Sequence, residues 1–167
     1  MATSGTYVTE VPLKGSADQY YKSWKSENHL FPDAIGQHIQ HPTCMSLFTK
    51  VCRTRAPPSV HVDPPLSHGS IRSWNYTNDG KPVTFKERRE IDDANKTLTK
   101  RGLEGHPMED LKVFDVVYQF IPKSEDSCVC KITMMWEKRN DDFPEPSGLM
   151  KFVKTMVVDI EGHVTKA

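Results

Sequence analysis

The second half of the chain alternates between apolar and polar residues with a period of two. The alternation is strongest over residues 111–121 and 128–138, and Pro122 is expected to end the first of these segments. A period of two is typical of a β-strand with one buried face. The buried face is predicted to carry Phe114, Val116, Tyr118 and Phe120 in the first segment and Cys130, Ile132, Met134 and Trp136 in the second.

Four shorter segments have the same character and predict further strands at 5–13, 70–76, 83–91 and 96–103. The second and third of these are separated by an Asp-Gly pair, which readily adopts the positive φ angles of a tight hairpin turn. A run of antiparallel strands connected by short turns is therefore expected.

A helical period of 3.6 residues replaces the alternation near both ends of the chain. Ser16 is a suitable N-cap for a helix from Ala17 to about Asn28, and Pro32 suits the start of a short second helix at 33–38. The acids and prolines of 141–147 open a long C-terminal helix. The apolar face of that helix is predicted to contain Leu149, Phe152, Val153, Met156, Val157, Ile160 and Val164.

The order of these elements predicts an α+β fold. Without β-α-β repeats a parallel sheet is not expected, and 167 residues favour one domain, 1–167. A strongly curved antiparallel sheet with the amphipathic helix across its open face accounts best for the pattern. Such a sheet can enclose a cavity between the helix and the strands, which is a common setting for an apolar ligand.

Residues 41–67 differ from the rest of the chain. They contain five of the twelve prolines and no glycine, and Asp63 is their only acid. This composition predicts an atypical, long irregular loop with a short strand at best.

The charge balance excludes some classes of function. Lys and Arg number 22, as do Asp and Glu, so the formal net charge of zero argues against a nucleic-acid partner. No apolar run approaches the roughly 20 residues that membrane insertion requires. No secretory signal is visible, and four cysteines then suggest reduced thiols and a cytoplasmic location.

Polar residues on the predicted inward faces are candidates for chemistry. Lys100 is expected to face inward with Leu98, where it could act as a base or extend to the mouth of a cavity. Glu87 lies on an inward face and could pair with Arg89. Nitrogen and sulfur ligands suited to zinc occur at His38, His41, Cys44 and Cys52, but their spacing matches no closed structural site, so no metal is expected.

Several segments together carry a resemblance to a known family. They are HGSIRSWNYTNDGK (68–81), KERREIDD (86–93), GLEGH (102–106), FIPKS (120–124) and WEKRNDD (136–142). In these segments, and over 5–40 and 68–167 generally, the chain resembles the major latex protein family. That family belongs to the Bet v I superfamily of plant proteins, the pathogenesis-related proteins of class ten.

The resemblance implies a helix-grip fold, in which a seven-stranded antiparallel sheet wraps around the long C-terminal helix, with two short helices after the first strand. It also implies an internal cavity for fatty acids, sterols, flavonoids or plant hormones, and a link to defence and stress responses. No cofactor, catalytic residue or metal ligand is implied, and the protein is expected to be a monomer or weak dimer. Residues 41–67 depart from the family, which has a shorter segment with a glycine-containing turn. They are either an insertion that reshapes the cavity mouth or an error in the gene model.

The inward apolar set is open to two interpretations: plain core packing, or the wall of a cavity that binds a ligand. The resemblance favours the second. The residues then expected to contact the ligand are Trp74, Tyr76, Phe85, Leu98, Lys100, Phe114, Val116, Tyr118, Ile132, Met134, Trp136, Phe152, Val153 and Met156. The alternatives to a carrier are an enzyme of specialised metabolism using Lys100, Glu87 or Tyr118 as acid or base, and a hormone-dependent signalling protein.

Overall fold

The computed structural model describes residues 3–26, 68–78 and 81–164. The helix expected at 33–38 and the irregular segment at 41–67 lie outside the described residues. The elements, in chain order, are β1 (Ser4–Lys14), α1 (Ala17–Ser26), β2 (Ile71–Asn78), β3 (Lys81–Asp92), β4 (Thr97–Gly105), α2 (Pro107–Asp110), β5 (Leu111–Ser124), β6 (Ser127–Lys138) and α3 (Ser147–Val164).

The described strands form one antiparallel sheet in the order β1-β6-β5-β4-β3-β2. The first strand of the chain therefore lies beside the last, and the other neighbours follow from hairpin connections. The predicted α+β class, with an antiparallel sheet and a C-terminal helix, is confirmed. The described residues supply six strands, and the seventh strand implied by the resemblance stays a prediction.

The end of one strand and one short helix differ from the sequence prediction. Strand β5 does not end at Pro122 but continues to Ser124, and the register with β6 shifts between these two residues. The shift accommodates a residue that has no backbone N–H to donate to the ladder. The short helix α2 was not predicted, because Pro107 suggests a break in a strand as readily as the first turn of a helix.

Helix α3 packs against β1 and α1. Its inward residues Val157 and Ile160 are buried, whereas Val158, on the opposite side, is 46% exposed. The Glu161 carboxylate accepts a 2.8 Å hydrogen bond from the backbone N–H of Lys14, and this bond joins the end of β1 to the last turns of α3. Among the described helices, none combines the length and the apolar character needed to cross a membrane.

Helix α1 is joined to strand β3 by a buried arginine. Arg89 is fully buried, and its Nη2 donates to the carbonyl oxygens of Trp24 at 3.3 Å and Lys25 at 2.8 Å. These carbonyls belong to the last turn of α1, where the helix leaves them without partners of its own. On the outside, the Lys25 ammonium and the Tyr21 hydroxyl both donate to Asp93, at 2.7 and 2.6 Å, and these hydrogen bonds lower the pKa of that carboxyl.

Candidate functional site

A cavity of about 100 Å³ lies between α3 and the inner face of β3, β4 and β5. Strands supply six of its described lining residues and α3 supplies four. The lining residues are Phe85, Glu87, Lys100, Phe114, Val116, Tyr118, Leu149, Phe152, Val153 and Met156.

The apolar part of the wall follows from the two periodicities of the sequence. Alternate residues of β5 point inward, and α3 contributes residues at positions i, i+3, i+4 and i+7, which share one face of a helix. The rings of Phe85 and Phe114 meet edge to face with centroids 5.7 Å apart, so the strand side of the cavity presents aromatic surface.

One ion pair interrupts this apolar wall. The Lys100 ammonium lies 3.4 Å from Oε1 of Glu87, and the two side chains are only 8% and 3% exposed. The same ammonium lies over the rings of Trp24 and Tyr118, 5.5 and 5.7 Å from their centroids. Aromatic faces attract a cation, so these rings and the carboxylate together hold the buried charge of Lys100. The lysine does not extend to solvent.

Tyr118 keeps its proton at neutral pH. Burial raises the pKa of its phenol well above the usual value, and the negative charge of Glu87 acts in the same direction. The hydroxyl is therefore suited to hydrogen bonding in its neutral form and unsuited to acting as a base.

The cavity brings together eight of the fourteen residues expected to contact a ligand. They are Phe85, Lys100, Phe114, Val116, Tyr118, Phe152, Val153 and Met156. Leu149 also lines the cavity; it belongs to the predicted apolar face of α3 but was not included in the site. Glu87 also lines the cavity; the sequence suggested it as an acid or base or as a partner of Arg89, and not as a ligand contact. The side chains of Trp74 and Tyr76 lie outside the described residues.

The other four expected residues lie in the packed core and not on the cavity wall. Leu98, Ile132, Met134 and Trp136 are buried. Leu98 lies on β4, one of the strands that α1 covers, while the other three lie on β6, between β5 and the strand β1 on which α3 packs. Trp136 also packs against Tyr7, with ring centroids 5.7 Å apart and ring planes tilted by 40°. An inward-facing position in the sequence pattern therefore does not distinguish a cavity residue from a core residue.

The candidate zinc ligands from His38 to Cys52 lie outside the described residues. In the part of the chain that the structure does describe, no three His, Cys, Asp or Glu side chains cluster closely enough to hold a metal ion. Cys128 and Cys130 are buried and free. Burial raises the pKa of the Cys128 thiol to about 11 and also raises that of Cys130, so both are protonated at neutral pH.

Comparison with known proteins shows the family to which this chain belongs. The model of the pathogenesis-related protein Bet v 1 family matches residues 2–46 and 47–167. The chain is 62% identical to MLP-like protein 328 of Arabidopsis thaliana over 167 residues, which cover 100% of both chains. This alignment runs through residues 41–67; whether they are an insertion relative to the wider family stays a prediction.

Two solved structures share the fold. The crystal structure of major latex-like protein 151 from Panax ginseng has a TM-score of 0.77 at 22% identity, covering 97% of this chain and 98% of that one. Norcoclaurine synthase from Thalictrum flavum, in complex with dopamine and hydroxybenzaldehyde, has a TM-score of 0.68 at 14% identity, covering 98% and 87%. At these identities the two likenesses concern the fold alone.

The family match and the full-length identity agree with the segments in which the sequence resembles major latex proteins. The chain belongs to the pathogenesis-related protein Bet v 1 family and is similar along its whole length to its MLP-like proteins.

Proposed function

We propose that this protein binds a small hydrophobic metabolite between α3 and the sheet, as a carrier linked to plant defence or stress responses. The observation that supports the proposal is the cavity between α3 and the strands, whose described wall is apolar apart from the Glu87–Lys100 pair and the Tyr118 hydroxyl. A mostly apolar cavity with a few placed polar groups is the usual form of a small-molecule site. The carrier acts in the cytoplasm as a monomer or weak dimer.

The size of the cavity limits the ligand. Pockets for drug-sized ligands usually enclose roughly 300–1,000 Å³, whereas an engineered cavity of about 150 Å³ binds benzene. The present volume of about 100 Å³ therefore suits one ring of a ligand. A sterol or flavonoid would bind only if α3 moved away from the strands. Fatty acids, sterols, flavonoids and hormones all remain in the proposed ligand class on that condition.

The affinity can be bounded from the surface that a ligand would bury. Burying about 300 Å² of apolar surface contributes on the order of 7 kcal/mol before the cost of ordering the ligand. We therefore expect micromolar dissociation constants for a ligand that fills and extends the cavity.

The first experiment is native mass spectrometry of the purified protein beside a denatured control, with identification of any released molecule. A stoichiometric hydrophobic adduct supports the carrier. The protein is then stripped of adducts and titrated with the neutral fluorophore N-phenyl-1-naphthylamine. A protein that is folded, empty and unable to take up this fluorophore would contradict the proposal.

A matched pair of variants localises the binding. Met156→Trp places an indole in the cavity and is expected to weaken N-phenyl-1-naphthylamine binding at least about ten-fold, a difference of 1.4 kcal/mol. Val158→Trp adds the same side chain to the exposed side of the same helix and should leave the affinity unchanged. Equal affinities in the two variants would place the binding site elsewhere.

The second candidate is an enzyme of specialised metabolism. The observation that favours it is a buried amine beside a carboxylate on the cavity wall, because a desolvated lysine can condense with an aldehyde. Such a step forms a carbon–nitrogen double bond and releases water, and borohydride then reduces the imine to a stable secondary amine. Peptide mapping after treatment with benzaldehyde and borohydride tests for this product. The enzyme would be favoured over the carrier if Lys100 is modified and if the protein turns over an aldehyde substrate in a reaction that Lys100→Met abolishes.

A further inference from the structure

The ion pair lies where a ligand would meet it. Glu87 and Lys100 both line the cavity, and among its described lining residues they alone carry a charge. The two charges offset each other across 3.4 Å, so the pair presents a dipole to the cavity and no net charge. Arg89, opposite Lys100 in the neighbouring strand, directs its guanidinium to the carbonyls at the end of α1 and is not among the described lining residues.

A ligand carboxylate would have to share Lys100 with Glu87. Two carboxylates beside one ammonium repel each other, and the Glu87 and Lys100 side chains are almost fully buried, so a second negative charge next to them is strongly disfavoured. A neutral hydroxyl, carbonyl or amide can hydrogen-bond to either member of the pair without changing the charge balance. The surrounding Phe85, Phe114 and Tyr118 rings favour a ring next to that polar group.

We propose that the Glu87–Lys100 pair is a specificity determinant of the cavity, which selects uncharged ring compounds bearing one hydroxyl, carbonyl or amide group and excludes free carboxylates. This inference rests on the proposed function, and it narrows the ligand class. Free fatty acids and acidic hormones become poor ligands, whereas neutral phenols, sterols and ketones become good ones.

Three one-ring probes of matched shape test the inference by calorimetric titration near pH 7. Ethylbenzene reports access to the cavity, 4-ethylbenzamide adds a neutral polar group, and 4-ethylbenzoate replaces the amide with a charge of nearly the same shape. We expect the wild-type protein to bind the amide at least about ten-fold more tightly than the benzoate, which is 1.4 kcal/mol or more.

Two variants separate this specificity from a structural role. Glu87→Gln leaves the Lys100 charge without its carboxylate, so the preference for the amide over the benzoate should fall at least about ten-fold or reverse. The double variant Glu87→Gln with Lys100→Met removes both charges. In this variant the amide should lose its advantage over ethylbenzene, and the affinity for ethylbenzene is measured on the same variant as the reference. The double variant provides the test even if Glu87→Gln does not fold.

The outcomes distinguish the two proposals. Uptake of ethylbenzene with equal affinity for amide and benzoate overturns the specificity inference and leaves the carrier function standing. An unchanged amide-to-benzoate ratio in folded Glu87→Gln, or an amide advantage kept by the double variant, also overturns it. Binding of none of the three probes overturns the carrier function, and the inference with it.

Discussion

The hydrogen bonds from Arg89 to the end of α1 offer a quantitative test of the structure. Arg89→Met keeps most of the apolar stem of the side chain and removes the guanidinium that donates to the carbonyls of Trp24 and Lys25. These carbonyls lie at the negative end of the helix macrodipole, so a cation there is doubly suited to its place. In the variant the two carbonyls lose this donor, and the donor that they lose is a fully buried side chain.

The expected loss follows from the two distances. A hydrogen bond to a charged group contributes about 1.5–3 kcal/mol. The 2.8 Å bond to Lys25 should have its full strength and the 3.3 Å bond to Trp24 much less, so we expect a loss of about 3 kcal/mol in the free energy of unfolding. At about 2–4 °C per kcal/mol for a chain of this size, the melting temperature should fall by about 6–12 °C.

Urea unfolding followed by circular dichroism measures the loss, and hydrogen exchange of the α1 amides shows where it acts. Arg88→Met is the matched control, because Arg88 is the next residue along β3 and is exposed. Arg89→Lys should recover about half of the loss, since an ammonium can reach one carbonyl but lacks the planar fork of a guanidinium. If Arg89→Met and Arg88→Met differ by less than about 0.5 kcal/mol, the role assigned to Arg89 is refuted.

Three further predictions concern thiols, packing and alkaline stability. Since burial raises the pKa of Cys128 and Cys130, iodoacetamide at pH 8 should label both far more slowly in native than in urea-unfolded protein, as read by peptide mapping; equal rates would contradict their burial. Gly102→Ala would place a Cβ 2.7 Å from the Met108 sulfur and 2.8 Å from the Phe114 carbonyl oxygen, so it should cost about 1–3 kcal/mol in urea unfolding. The control Gly162→Ala, whose Cβ would have no neighbour within 4 Å, should stabilise α3 by up to about 1 kcal/mol. Equal losses of stability in Gly102→Ala and Gly162→Ala would refute the close packing around Gly102. The pKa of Cys128 is higher in the folded chain, so the stabilising contribution of its protonated thiol is complete below pH 9.0 and is lost as the pH rises to about 11. The free energy of unfolding, measured in urea, should therefore fall across that range, and a constant value would refute the raised pKa.

The alternating segments allowed most of the sheet to be predicted. Strands β5 and β6 follow from a period of two that persists for ten or more residues, and their hairpin follows from the polar residues between them. Strand ends were less predictable, because the end of β5 depends on how its backbone pairs with β6 after Pro122 and not on its own residue types.

The cavity could be predicted only in part, for a physical reason. Periodicity states which side chains face inward, but the packing of the helices on the sheet decides which of them meet empty space. Tyr118 and Met134 alternate equally well, yet Tyr118 lines the cavity while Met134 lies in the packed core. The pairing of Lys100 with Glu87 is equally a matter of tertiary structure, because the two residues lie on different strands whose register sets their distance.

The position of β1 beside β6 has a consequence for synthesis in the cell. A ribosome releases residues Ser4–Lys14 well before their hydrogen-bonding partners, Ser127–Lys138. Until those partners emerge, the segment Ser4–Lys14 carries an unpaired edge. We expect the nascent polypeptide to depend on chaperones during this interval and to acquire resistance to proteases only after Lys138 has emerged.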